Sequence, residues 1–267
     1  MTNFYRKFCD GPRLYDWLVV LSCLLGSVGN CYARAPLIAA AADLNFALTE
    51  INTRFRAETG HEITPVFGSS GNFYRQILQG APFQLFLSAD EELVFKLAEA
   101  DKTLDRGRLY AIGRLVLLLP SDSPLKLDGQ LQDLVAAVGD GRLTKFAIAN
   151  PAHAPYGQRA QEVLQRVGLW SKIQPQLVLG ENAAQAAQFA ISGSTQGGLV
   201  AYSLALTPAL AKLGHSVLIP QQWHTPLKQR MVLLAGADDT AHAFYAYLQT
   251  PTARKILQRN GFTIPNE

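Results

Sequence analysis

Cysteine is confined to the start of the chain, where Cys9, Cys23 and Cys31 are the only three. Everything after residue 31 lacks it, so neither a disulfide framework nor a thiolate metal site can form there. The histidines beyond that point, His61, His153, His215, His224 and His242, show no His-x-His or His-Glu-x-x-His spacing. A Gly-x-Gly-x-x-Gly turn and a P-loop lysine are missing too. Neither Ser69 nor Ser70 sits in a Gly-x-Ser-x-Gly elbow: Phe67 stands where Ser69 needs its first glycine, and Asn72 where Ser70 needs its last. Charged residues make up only 17% of the chain and form no basic run, which argues against a nucleic-acid surface. No apolar run reaches the roughly 20 residues of a membrane span.

What is present begins with a leader. Arg6, Lys7 and Arg13 form a positive segment, Trp17 to Gly26 a short apolar core, and Ala33 and Ala35 offer small residues for cleavage. This reads as a signal peptide over residues 1–33, cleaved near Ala33 because Pro36 would follow the alternative site. Cys31 leaves lipidation as a second possibility, although Val28-Gly29-Asn30 before it match a lipobox poorly. Loss of three basic and two acidic residues with the leader takes the net charge from +3 to +2. The expectation is an exported, periplasmic protein.

After the leader, short apolar runs alternate with amphipathic stretches, the pattern of an α/β fold with mainly parallel strands. Strands are expected at Leu37–Ala40, Ile63–Phe67, Phe83–Leu87, Leu115–Pro120, Phe146–Ala149, Leu177–Leu179, Gly198–Ala201 and Met231–Ala235. Pro65 marks the second of these as an edge or early position. The helices between them carry Leu44, Ala47, Leu48, Ile51 and Phe55; then Phe73, Ile77 and Leu78; then Leu93, Val94 and Leu97 behind an Asp90 cap. No low-complexity linker divides the chain. Two α/β lobes joined by crossing strands, with a cleft between them, fit this pattern: residues 36–116 plus 226–267 in one lobe, 117–225 in the other.

Four segments look like helix starts aimed at a small anion: Ala40-Ala41-Ala42-Asp43, Gly68-Ser69-Ser70-Gly71-Asn72, Pro155-Tyr156-Gly157-Gln158 and Glu181-Asn182-Ala183. A helix N-terminus presents unpaired N–H groups and about half a positive charge. Within them, Ser70 offers a hydroxyl and Gly71 a close approach to backbone, although either Ser69 or Ser70 could serve only as a helix cap. Tyr156 offers a neutral phenol on a stiff turn, Ala183 a backbone N–H. Tyr202 follows the strand at Gly198–Ala201, at the end where ligands gather in open α/β sheets. A hydrolase pairing Ser70 with His153 is the competing reading from another class. Catalysis has no motif behind it, so the chain is expected to be no enzyme and to need no cofactor.

The chain resembles the periplasmic molybdate-binding proteins of bacterial ABC importers. The resemblance rests on Ala39-Ala40-Ala41-Ala42-Asp43-Leu44, Phe67 to Tyr74, Gly80 to Asp90, Asn150 to Gly157 and the ending Asn260 to Pro265, in that order. It implies a type II periplasmic-binding-protein fold that closes on molybdate or tungstate, holding the oxyanion by hydroxyls and backbone N–H groups with no direct metal ligand. Carried over, the ligand positions are Asp43 (backbone), Ser70, Tyr156, Ala183 (backbone) and Tyr202. Tyr202 is offset by one residue from the family spacing, so Ala201 is the alternative there. The implied partners are the oxyanion and the membrane permease of an importer, with the chain acting as a monomer.

Asp43 departs from the family, which often has serine, threonine or asparagine in this loop. At 4 Å and an effective dielectric near 20, each pair of like unit charges costs about 4 kcal/mol, roughly three decades of affinity. Either Asp43 turns away and caps its own helix, or the ligand is another oxyanion or small organic acid, such as one that brings a proton or a cation. A partner of a membrane receptor that senses its ligand is a further alternative.

Overall fold

The computed structural model describes residues 35–265. The expected leader and its three cysteines lie outside them. Among the described residues, ten strands form two five-stranded sheets. The first contains β1 (Leu37–Ala41), β2 (Thr64–Gly68), β3 (Phe83–Ser88) and β4 (Arg108–Gly113), together with β10 (Leu227–Leu233). The second contains β5 (Leu115–Pro120), β6 (Phe146–Ala149), β7 (Leu177–Gly180), β8 (Gly198–Ala201) and β9 (Gly214–Leu218). The orders are β2-β1-β3-β10-β4 and β7-β6-β8-β5-β9. The chain passes from the first sheet to the second at Arg114 and returns between β9 and β10.

The expectation of mainly parallel strands needs correction. β1 runs parallel to β2 and β3, and β6 parallel to β7 and β8. In contrast, β10 lies antiparallel between β3 and β4, and β5 antiparallel between β8 and β9. Each of these reversed strands is the one entered directly after a crossing. The continuously apolar Leu115-Val116-Leu117-Leu118-Leu119-Pro120 run is buried along its whole length, which suits a central position. Pro65 sits on β2, an edge strand, where its missing N–H costs no ladder bond. β4 and β9 are the opposite edges, and their mixed polar and apolar sequences gave no strand signal.

Helices cover the sheets: α1 (Asn45–Thr59), α2 (Ser70–Leu78), α3 (Glu91–Glu99), α4 (Gln132–Gly139), α5 (Pro155–Arg166), α6 (Ala183–Ile191), α7 (Asp239–Tyr247) and α8 (Pro251–Arg259). The expected apolar face of α1 is buried at Ala47, Leu48, Ile51 and Phe55. Phe55 meets Phe244 of α7 edge-on, with ring centroids 5.0 Å apart. In α2 the core contacts come from Phe73 and Ile77, whereas Leu78 is exposed. Asp90 caps α3 through the N–H of Glu92. Among the described residues no helix is long and apolar enough to cross a membrane.

The parallel strands β1, β2 and β3 of one sheet, and β6 and β7 of the other, end at a common place. This is where open α/β sheets put their ligands.

Candidate functional site

All four helix starts meet there. A small, nearly closed cavity, with a volume of about 10 Å³, is lined by Ala42 and Asp43 after β1, Ser69 and Ser70 after β2, Ala89 after β3, Pro155 and Tyr156 at the start of α5, and Ala183 at the start of α6. Asp43, Ser70, Tyr156 and Ala183 are thus brought together, and no lysine, arginine or histidine lines the space. Tyr202 and Ala201 do not line it. The Tyr202 N–H donates to the Arg114 carbonyl at 2.9 Å, and its ring lies beside Gly261. Ser203, the next residue, reaches the site indirectly by donating to the Asp43 carbonyl at 2.8 Å.

Ser70 is 1% exposed. Its Oγ accepts the Ala89 N–H at 3.0 Å. That bond fixes the side chain and leaves its own hydrogen available to donate. Neither Ser69 nor Ser70 caps α2 with its side chain. Ser69 instead donates to the His153 carbonyl at 2.5 Å, and its Oγ also lies 3.0 Å from the His153 ring. His153 therefore meets Ser69, and the Ser70–His153 pair expected of a hydrolase is not formed. The Gly71 N–H donates to the same carbonyl at 3.0 Å. A Cβ on Gly71 would lie only 2.4 Å from that oxygen, so glycine is what permits the contact. At α6 the Asn182 side chain caps the Gln185 N–H, while the N–H of Ala183 has no acceptor within its own helix, as in any first turn.

Asp43 occupies a short 3-10 turn and is 2% exposed. The expectation that it caps its own helix is not met: the turn has no side-chain cap. Its Oδ2 instead accepts from the Tyr156 hydroxyl at 2.9 Å and from the Gln229 amide. Its Oδ1 is buried without a partner. Gln229 is held in turn by the Tyr110 hydroxyl, which donates to its Oε1 at 2.8 Å. Burial raises the Asp43 pKa from 3.8 to about 6, against the opposing pull of Gln229 and Tyr156. Burial and the neighbouring Asp43 charge push both Tyr156 and Tyr110 well above 10.

Gln229, Tyr110 and Ser203 were missed in the sequence. Gln229 is fully buried between Leu227 and Met231, on the inward parity of β10. A polar residue at an apolar parity is a signal, but it appears only once the strand is taken to begin at Leu227 and not at Met231.

Contacts between the two halves surround the cavity. Asn72 donates to Glu181 at 2.6 Å, and Glu181 lies 3.5 Å from the His153 ring. Arg159 pairs with Asp90 at 3.1 Å and also with Glu162. The described residues contain no group of three His, Cys, Asp or Glu side chains that could hold a metal ion.

Two α/β halves closing over a small polar cavity define a solute-binding protein. Residues 36–263 match the bacterial extracellular solute-binding proteins, and the chain belongs to that family. It is 38% identical to the molybdate-binding protein ModA of Rhodobacter capsulatus over 98% of this chain and 99% of that one. With ModA of Escherichia coli K12 the identity is 33% over 84% and 87% of the two chains. The solved structure of the periplasmic molybdate-binding protein of Azotobacter vinelandii superposes with a TM-score of 0.78 at 30% identity, covering 86% of this chain and all of that one.

Proposed function

We propose that this protein captures molybdate outside the cytoplasm and delivers it to an ABC importer, with tungstate as an equivalent ligand. The observation that carries this reading is the convergence of the four helix starts on one cavity without a cationic side chain. Ser70 supplies a hydroxyl, Ala183 and the Asp43 loop supply backbone N–H groups, and Tyr156 supplies a phenol once it is released from Asp43. Neutral donors around a space of fixed size suit a carrier, since they discriminate by oxygen position and let the cargo go. Relatives named for molybdate binding, similar over nearly the whole chain, support the same ligand.

In this reading the leader is removed near Ala33 and the mature chain works as a periplasmic monomer. It catalyses no reaction. The lobes that close follow the two sheets, so the first boundary falls at Arg114, ahead of β5, and not inside that strand between residues 116 and 117, while the second falls between β9 and β10. The test is thermal unfolding of residues 34–267 with molybdate, tungstate, sulfate or phosphate. A ligand at 100 times its Kd adds about 2.7 kcal/mol, which for a chain of this length is a rise of roughly 5–10 °C. The expected result is such a shift with molybdate and tungstate and a much smaller one with sulfate. No shift with either group-6 anion, or an equal one with sulfate, would overturn the reading.

A further inference from the structure

We propose that the oxyanion enters this cavity together with one proton, which Asp43 takes up from solvent. This deepens the molybdate reading and rests on it.

The geometry leaves Asp43 short of donors. Its Oδ1 is buried in the cavity wall with no partner. Its Oδ2 already takes the one hydroxyl hydrogen of Tyr156 and an amide hydrogen of Gln229. Gln229 is tied at its other end by Tyr110. As a carboxylate, Asp43 thus holds the Tyr156 hydrogen that the anion needs and adds a like charge beside it. As a carboxylic acid it becomes a donor itself, or accepts less from Tyr156 and frees that phenol for the anion.

The magnitudes favour the acid form. Burial has already raised the carboxyl to about 6, so protonating it at pH 7 costs about one decade of affinity. Leaving it ionised beside a dianion costs roughly three decades for each charge pair at 4 Å. The groups facing Asp43 do not change this balance. Tyr156 from α5 and Tyr110 from β4 stay protonated at neutral pH. β10 presents the neutral Gln229, while its Lys228 and Arg230 pair with Glu91. α2 brings Ser70, α6 brings Ala183, and Ser203 follows β8. His153 lies outside the cavity lining, behind Ser69 and against Glu181, and is the imidazole to control for.

The sign follows from linkage. The anion raises a pKa that is about 6 in the free protein. Binding therefore absorbs a proton above that pH, and affinity falls as pH rises. The experiment is calorimetric titration of the full mature chain with molybdate at pH 6.5, 7.5 and 8.5, in two buffers of different ionisation enthalpy. The expected result is about one proton absorbed at pH 7.5, with Kd rising about tenfold per pH unit above 7. Asp43→Asn should bind with a Kd independent of pH and no absorbed proton, whereas His153→Gln should keep the wild-type slope. The wild-type proton count stands even if Asp43→Asn does not fold. Binding without a linked proton, or a slope that survives in Asp43→Asn, overturns this inference alone. Absence of binding by wild type at every pH overturns the molybdate reading, and this inference with it.

Discussion

At the residue scale, the site separates a side chain that was legible from one that was not. Ser70 follows a strand, precedes a helix and sits between small residues, which left a ligand donor and a helix cap both open; its side chain makes no cap bond and it lines the cavity, which favours the donor. Ser70→Ala is expected to weaken molybdate binding by about 1–3 kcal/mol, since it removes the free hydroxyl hydrogen and strands the Ala89 N–H. Titration calorimetry checks this; binding like wild type would reduce Ser70 to a structural role. Asp43 was visible as a misfit, but its partners were not. Tyr156 is 113 residues away in sequence and Gln229 is 186 away. No local pattern encodes such pairs. The same burial has a consequence for stability without ligand. Because the folded pKa, about 6, lies above the ordinary 3.8, the folded state binds more protons between those values. Stability therefore falls as pH rises through that window and is lowest above it. Asp43→Asn, uncharged throughout, should be more stable than wild type at pH 7.5 by up to about 3 kcal/mol, with the gap closing toward pH 4. Thermal or urea unfolding in anion-free buffer at the two pH values reads this directly.

At the element scale, strand–helix junctions carried most of the readable information. Small residues, a strand before and an amphipathic run after are local features, and all four expected helix starts reach the cavity. The edges β4 and β9 and the reversal of β5 and β10 were illegible, because strand direction is decided by which sheet the chain enters after a crossing. The junction at Gly71 yields a sharper expectation. Its would-be Cβ lies 2.4 Å from the His153 carbonyl oxygen. Gly71→Ala should hold the halves apart, costing about 1–3 kcal/mol of binding, the usual range for overpacking a tight contact. The anion-free protein can relieve the clash by opening, so its melting temperature should change little. A large fall in that temperature, with affinity unchanged, would contradict this assignment.

For the whole molecule, closure is a matter of contacts between halves that meet only in the folded chain. Asp90 caps a helix on the first sheet, and Arg159 projects from a helix on the second. They pair at 3.1 Å, with Arg159 9% exposed. Arg159 also pairs with Glu162, whose other oxygen accepts the Thr225 N–H at 2.6 Å in the returning crossover. This chain of contacts ties both halves to the segment about which they would swing, a hinge arrangement. A partly buried ion pair is costly to break from one side, because the remaining charge loses its partner in a desolvated place. Arg159→Met should therefore favour the open form: a larger radius of gyration in anion-free solution scattering, and molybdate affinity lower by about 1–3 kcal/mol. Asp90→Asn keeps a capping acceptor for the Glu92 N–H but removes the charge. Combined with Arg159→Met it should restore part of the lost affinity, giving a coupling of about 0.5–3 kcal/mol in a double-mutant cycle. If the two losses simply add, the pair does not hold the halves together, and closure rests on Ser69, Gly71 and Asn72 against His153 and Glu181.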